Sequence, residues 1–342
     1  MYFDNGDLRE EITYQEGLRE GPNRIYYQSG EVYKEIFYVH SKKEGEAVTY
    51  YITGIIKKTA EFHEDILHGI TKFFYESGNL HKEMYYVAGK LNGEYKEYYD
   101  NGVLAELRLY KDGMKNGLSK QYRQNETLMC EVPYQDDKIE GEVNYYYPDG
   151  GLKSTVNYRN NLKDGPTKIF YNTGSIKEDK THVDDQVEGV VHTYYKSGAL
   201  KGEWNYVNGK PHGTSQFFYE SGNILAIKNF EEGKDSGLTQ VFYPTGNLKE
   251  EVYFKNGLKD GLYKRFNENG ALLKQAEYNN GDLKNKIFQN KENKEPVAPK
   301  DEEVANEEHV ISKVIHSVFL RTVFFSGLVV FLIYLLLIYL LK

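Results

Sequence analysis

Glycine recurs every 24 residues in two separate rows, and this spacing limits the possible folds more than any other property of the chain. The first row runs Gly6, Gly30, Gly54, Gly78 and Gly102, then Gly150 to Gly270 at the same step, with Glu126 as its one interruption. The second runs from Gly21 through Gly45, Gly69 and Gly93 to Gly261 without a break. Glycine makes up 32 of 342 residues, so two aligned rows mean a tandem array of one small unit. A fixed period in the twenties implies units that bury their apolar side chains against their neighbours rather than within themselves.

Each unit reads as a β-hairpin. The residue before every glycine of the first row is Asn, Ser, Thr or Asp where the row is intact, a pairing that favours tight turns. A second turn falls eleven residues later, at Gly17, Ser41, Asp65, Gly89 and their successors up to Gly281. The runs between the turns are rich in Tyr, Phe, Ile and Val, which suit strands. One aromatic column runs from Tyr2 through Tyr26 and Tyr50 to Phe266, and a second from Tyr14 through Tyr38 and Phe62 to Tyr278. An aliphatic residue precedes each member of the second column by six, an even separation that predicts a shared face. The expectation is one stacked apolar face and one wet face, with both glycine rows at hairpin turns. Glu126 replaces a turn glycine, and Asn125 is expected to take the positive φ in its place.

The pattern YxxGxLxxExxYxxGxxxGxxxxxY, as it stands from Tyr219 to Tyr243, resembles the variant form of the MORN repeat. The resemblance covers residues 1 to about 284, roughly twelve units. It implies an elongated, twisted all-β stack of hairpins, associated with scaffolding, membrane-proximal attachment and proposed phospholipid contact, and in some bacterial relatives with an antitoxin label. It supplies no active site.

The chemistry-bearing residues agree with that. No nucleotide-binding loop, nucleophile elbow, H-E-x-x-H or C-x-x-C occurs. The nine histidines are scattered, Cys130 is the sole cysteine and reads as a buried structural thiol, and Asp136–Asp137 and Asp184–Asp185 read as turn residues. No enzyme activity, cofactor or metal is expected. A net charge of −8 argues against nucleic acid and disfavours phospholipid head groups as ligands of the repeats. One further row, Tyr27, Tyr51, Tyr75, Tyr99, Tyr147, Tyr171, Tyr195, Tyr219 and Tyr243, adjoins the first aromatic column and by strand parity faces the other way. It reads either as a packing layer over the turn or as an exposed partner-binding ladder, since tyrosine is favoured at interfaces.

Beyond the array, residues 285–309 are charged and lack apolar periodicity, as in a flexible linker. Within residues 310–342, the stretch 322–341 holds twenty uncharged, mostly apolar residues, enough for a helix to span a bilayer core of about 30 Å. The chain opens directly in repeat sequence, and only Lys342 follows the span, so the expectation is a tail anchor with the repeats on the cytoplasmic side. The function expected is a non-enzymatic membrane scaffold that binds other proteins. The alternatives are a lipid-binding tether, an antitoxin-like neutralising partner and a peripheral subunit of a large membrane complex.

Overall fold

The computed structural model describes residues 1–289, all within a single antiparallel sheet that does not close on itself. The strands follow in chain order, each full-length strand paired with the full-length one before it, from Glu10–Gln15 and Leu18–Tyr26 through Val32–Val39 to Leu272–Asn279, and Asp282–Gln289 comes last. Five of the 29 strands are two-residue pieces, such as Lys42–Lys43, cut from the longer strand that follows them. Joined to their partners they leave two strands per 24-residue unit, as the period requires. The last strand passes through Asn285, at the second glycine row's next place, and continues to Gln289. The linker and the span at 322–341 lie outside the described residues. Within those residues no helix is long and apolar enough to cross a membrane.

The turns differ at the two ends of each hairpin. At one end two residues in succession take positive φ, as in Glu16 (52°) and Gly17 (82°), or Asp136 (48°) and Asp137 (66°). That is the type I′ geometry, whose twist matches the strands it joins. At the other end a five-residue loop closes with Gly30 N donating to Tyr27 O and Tyr27 N donating to Glu31 O, leaving Gly30 at φ 101°. Glu126 keeps the same two bonds, from Glu126 N to Arg123 O and from Arg123 N to Thr127 O, and itself takes φ 68°. The expectation for Asn125 is therefore wrong. The Asn125 carboxamide oxygen accepts from Thr127 N and Oγ1, which holds Asn125 in place and leaves the strained position to Glu126.

The second glycine row also departs from expectation, because it lies within strands rather than at turns. Between the pairs Tyr14–Arg19 and Ile12–Asn23, Thr13 alone faces Glu20, Gly21 and Pro22, so the strand bulges at Gly21. On its other side each such glycine pairs with the second aromatic column: Gly21 with Tyr38, Gly45 with Phe62, Gly69 with Tyr86 and onward to Gly261 with Tyr278. A ring laid beside a strand glycine covers backbone that would otherwise face water.

Two residues beyond each bulge sits the most buried row of the sheet: Asn23, Ala47, Thr71, Tyr95, Ser119, Val143, Thr167, Val191, Ser215, Thr239 and Tyr263. It alternates strand by strand with a second inward row that includes Ile36, Ala60, Met84, Val156, Val252 and Ala276. Tall rings such as Tyr38 and Phe62 lean across small ones such as Ala47, which is how a single-layer sheet keeps a dry centre. Burying one valine such as Val143 contributes on the order of 1.5–3 kcal/mol. The inward rows are not wholly apolar. Arg108, Lys180 and Lys228 occupy inward positions, each answered by a carboxylate: Glu106, Glu178 at 2.7 Å and Asp235 at 3.6 Å.

Candidate interaction faces

The nine tyrosines of the third row hold one geometry. Each hydroxyl donates to the backbone carbonyl 23 residues on, in the next unit's first aromatic column. Tyr27 reaches Tyr50 O at 2.8 Å, Tyr51 reaches Phe74 O at 2.8 Å, and Tyr243 reaches Phe266 O at 2.9 Å. The rings are half-buried. Their outer faces are often covered by the residue six further on: Lys57 lies 5.2 Å over Tyr51, Lys201 5.1 Å over Tyr195, and His81 stacks at 4.2 Å on Tyr75. The hydroxyls thus join neighbouring units at the long-loop end. Arg123, where the row lacks its tyrosine, sends Nη2 to Tyr146 O at 2.8 Å and so makes the same connection. What the row demands is a donor of the right reach, and sequence reasoning on residue type alone does not find Arg123.

At the opposite end the two-residue turns are joined in the same manner. Ser41 Oγ, Asp65 Oδ1, Asp137 Oδ1, Asn161 Oδ1 and Asp185 Oδ1 each accept from the backbone N–H 22 residues earlier, at 2.7–2.9 Å. Two members of the aspartate pairs are therefore committed to turn bonding. No group of carboxylates, histidines and cysteine suited to a metal ion occurs among the described residues.

The first aromatic column points to the charged face. Tyr26 donates to Glu11 at 2.6 Å, Tyr50 to Glu35 at 3.0 Å, Tyr146 to Glu131 at 2.8 Å and Tyr194 to Asp179 at 3.0 Å. These carboxylates also meet cations across the strands, with Arg24 at 2.7 Å from Glu35 and Lys120 at 3.0 Å from Glu131. The Arg24 guanidinium holds the Glu35 carboxyl below the usual range. Burial, then the Glu131 hydrogen bond, pushes the Tyr146 phenol up to about 12. The outcome is a ladder of alternating charge.

The opposite face carries the buried rows, and there burial shifts further groups. His182 replaces an aromatic of the second column, is buried, and lies 3.0 Å from Thr167 Oγ1. Burial and then the nearby Lys180 hold its imidazole down at about 4. Cys130 is buried with Sγ 3.5 Å from Gln121 Oε1, and burial pushes the thiol up to about 11. Such a thiol carries little thiolate at neutral pH. A recess of about 360 Å³ opens on this face between Lys58, Thr71, Phe73, His81, Lys82, Met84 and Tyr95.

The MORN repeat variant pattern matches residues 1–16, 19–40, 67–88, 91–112, 139–160, 187–208, 211–232, 236–256 and 259–280, more than half of the chain. The search of curated proteins gives no match to this chain. Among solved structures, the crystal structure of TcdB2-TccC3-Cdc42 aligns over 79% of this chain and 19% of its own, at 10% identity and a TM-score of 0.17. The crystal structure of TcdB2-TccC3 aligns over 78% and 19%, at 10% identity and a TM-score of 0.17. The chain thus spans about a fifth of the length of the solved chains it matches.

Proposed function

Since the chain belongs to the MORN repeat variant family, whose repeats are commonly modules of protein or membrane interaction, we propose that it is a non-enzymatic scaffold that binds proteins along its sheet and is held at a membrane by its C-terminal segment. The observation that carries this reading is the direction of the bonding. Turn side chains and third-row hydroxyls join each unit to the next, which makes a continuous platform with a different chemistry on each face. The twenty uncharged residues at 322–341 support a single tail-anchoring span, with the repeats on the cytoplasmic side. The third-row tyrosines remain candidates for partner contact through the ring edges that their hydroxyl bonds hold in register.

The test is a mild-detergent pull-down of the full-length protein beside residues 1–289, followed by mass spectrometry. A stoichiometric protein kept by both forms supports a scaffold whose binding surface is the array. Recovery of the chain alone in both cases would refute it.

A further inference from the structure

Cations on the inward face are nearly all answered by a carboxylate or an aromatic ring; Lys34 has neither among the described residues, and its neighbour Lys58 has a ring but no carboxylate. Lys34, Lys58 and Lys82 occupy the same place in three successive units, in the cross-strand row Ile25, Lys34, Thr49, Lys58, Phe73, Lys82, Glu97. Lys82 meets Glu97 at 3.5 Å, whereas among the described residues no ion pair forms at Lys34 or Lys58. Lys58 rests 4.9 Å over the Phe73 ring, and the strand positions facing Lys34 are Ile25 and Thr49. Lys43, over Phe62 at 5.2 Å, adds a further positive charge beside Lys34. Burial lowers the pKa of both Lys34 and Lys58, and repulsion from Lys43 and Lys58 adds to the effect at Lys34. Half-buried, unpaired ammonium groups weaken a fold unless something else answers them.

A second observation falls at the same place. The recess beside Lys58 is lined by Thr71, whose Oγ1 is buried with no hydrogen-bond partner in a side chain only 2% exposed. Orphan hydroxyls recur in this row, at Ser119, Ser215 and Thr239, but the one at Thr71 shares a recess with Lys58, His81 and Lys82. The recess offers Lys58 and a free hydroxyl for an oxyanion, beside Phe73, Met84 and Tyr95 for an apolar neighbour, while Lys82 stays with Glu97.

We propose that Lys34, Lys58 and the Thr71 recess form a docking track for an extended acidic peptide of a partner protein, with carboxylates three residues apart. Like positions in successive units are two strands apart, about 9.5 Å. A polyproline II segment has three residues per turn and rises about 3.1 Å per residue, so its residues i and i+3 share one face about 9.3 Å apart. Carboxylates at that spacing meet Lys34 and Lys58 in register, the second reaching into the recess. A peptide suits this geometry better than a membrane. The lysine run is bounded along its own row by Glu10 and Glu97, so the positive charge forms a narrow strip matched to one chain rather than a broad basic surface for a bilayer. This inference rests on the protein-scaffold reading and names the chemistry of its partner.

The experiment titrates detergent-solubilised full-length protein into fluorescein-labelled EPPEPPG and into its rearranged control EEPPPPG, read by fluorescence anisotropy. The spaced peptide is expected to bind at least about tenfold more tightly than the control, and K34Q/K58Q to abolish that preference. T71V, which keeps the shape and removes the hydroxyl, is expected to weaken the spaced peptide about threefold, and K274Q at the far end to change nothing. Equal binding of both peptides, or a preference that survives K34Q/K58Q with the circular dichroism spectrum unchanged, would overturn the proposal. So would capture by phosphatidylserine vesicles that depends on the two lysines while neither peptide binds, since that result makes the track a headgroup site. A stoichiometric partner in the pull-down that still binds K34Q/K58Q would leave the scaffold reading standing and this track disproved.

Discussion

A tyrosine hydroxyl bound to a carbonyl 23 residues on is a modest bond, and it recurs nine times in this sheet. Removing one, as in Tyr171→Phe, leaves the ring and deletes the link to Tyr194 O; the expected loss is about 1 kcal/mol in urea unfolding. Arg123→Tyr should be close to neutral because the donor is retained, whereas Arg123→Ala should cost more than Tyr171→Phe by losing several carbonyl bonds together. His182 carries a pH dependence. Its native pKa of about 4 lies below the ordinary value of 6.5, so above pH 6.5 both folded and unfolded chains hold it neutral. Between pH 6.5 and 4 the unfolded chain takes a proton that the native chain refuses, and stability falls with falling pH. The ceiling of that loss is roughly 3 kcal/mol at 1.36 kcal/mol per unit. His182→Phe should flatten the melting temperature across this window.

At the scale of the hairpin, Gly102 and Gly117, one from each glycine row, predict different penalties. A Cβ on Gly102 would meet nothing within 4 Å, so Gly102→Ala bears only the strain of φ 81°, about 1 kcal/mol. A Cβ on Gly117 would lie 2.8 Å from Leu109 Cδ1 and 3.2 Å from its Cβ, at φ 116°. Gly117→Ala should therefore unfold at clearly lower urea than Gly102→Ala, and Glu126→Gly should stabilise by relieving Glu126 at φ 68°. The turns and the strand content were legible in the sequence because turn chemistry is local, and a glycine or a short polar residue states it directly. The buried row was not. Asn23, Ala47, Thr71 and Tyr95 share no residue class, and only their place two beyond a glycine marks them. The face assignments were obscured by the bulges, since Thr13 facing three residues shifts the alternation that parity arguments depend on. The unpaired lysines and the Arg123 link needed cross-strand register, which 24-residue spacing alone does not give.

For the array as a whole, pairing runs unbroken through residues 41–66, 113–138 and 161–186, where the family pattern finds no match. Stability held between neighbours makes the unit, not the sheet, the element that can be added or removed. Deleting Asn223–Gly246 joins Gly222 to Asn247 in phase, and the remaining sheet should melt cooperatively within a few degrees of the parent. Deleting Asn223–Lys234 removes half a unit and reverses the strand direction beyond the cut. That variant should lose cooperative melting by circular dichroism and elute as aggregate.

The tyrosine links all run one way, from an earlier unit's hydroxyl to a later unit's carbonyl. During synthesis, each newly emerged hairpin therefore delivers the acceptor that its elder neighbour has been lacking. Growth and locking proceed in the same sense, and the hydroxyl still open belongs to the youngest part of the chain. Asn267 holds the place where the row would next continue, and its carboxamide oxygen instead accepts from Asn269 N and Ala271 N within its own loop. A directional zipper thus meets, at its eleventh tooth, a residue that closes on itself.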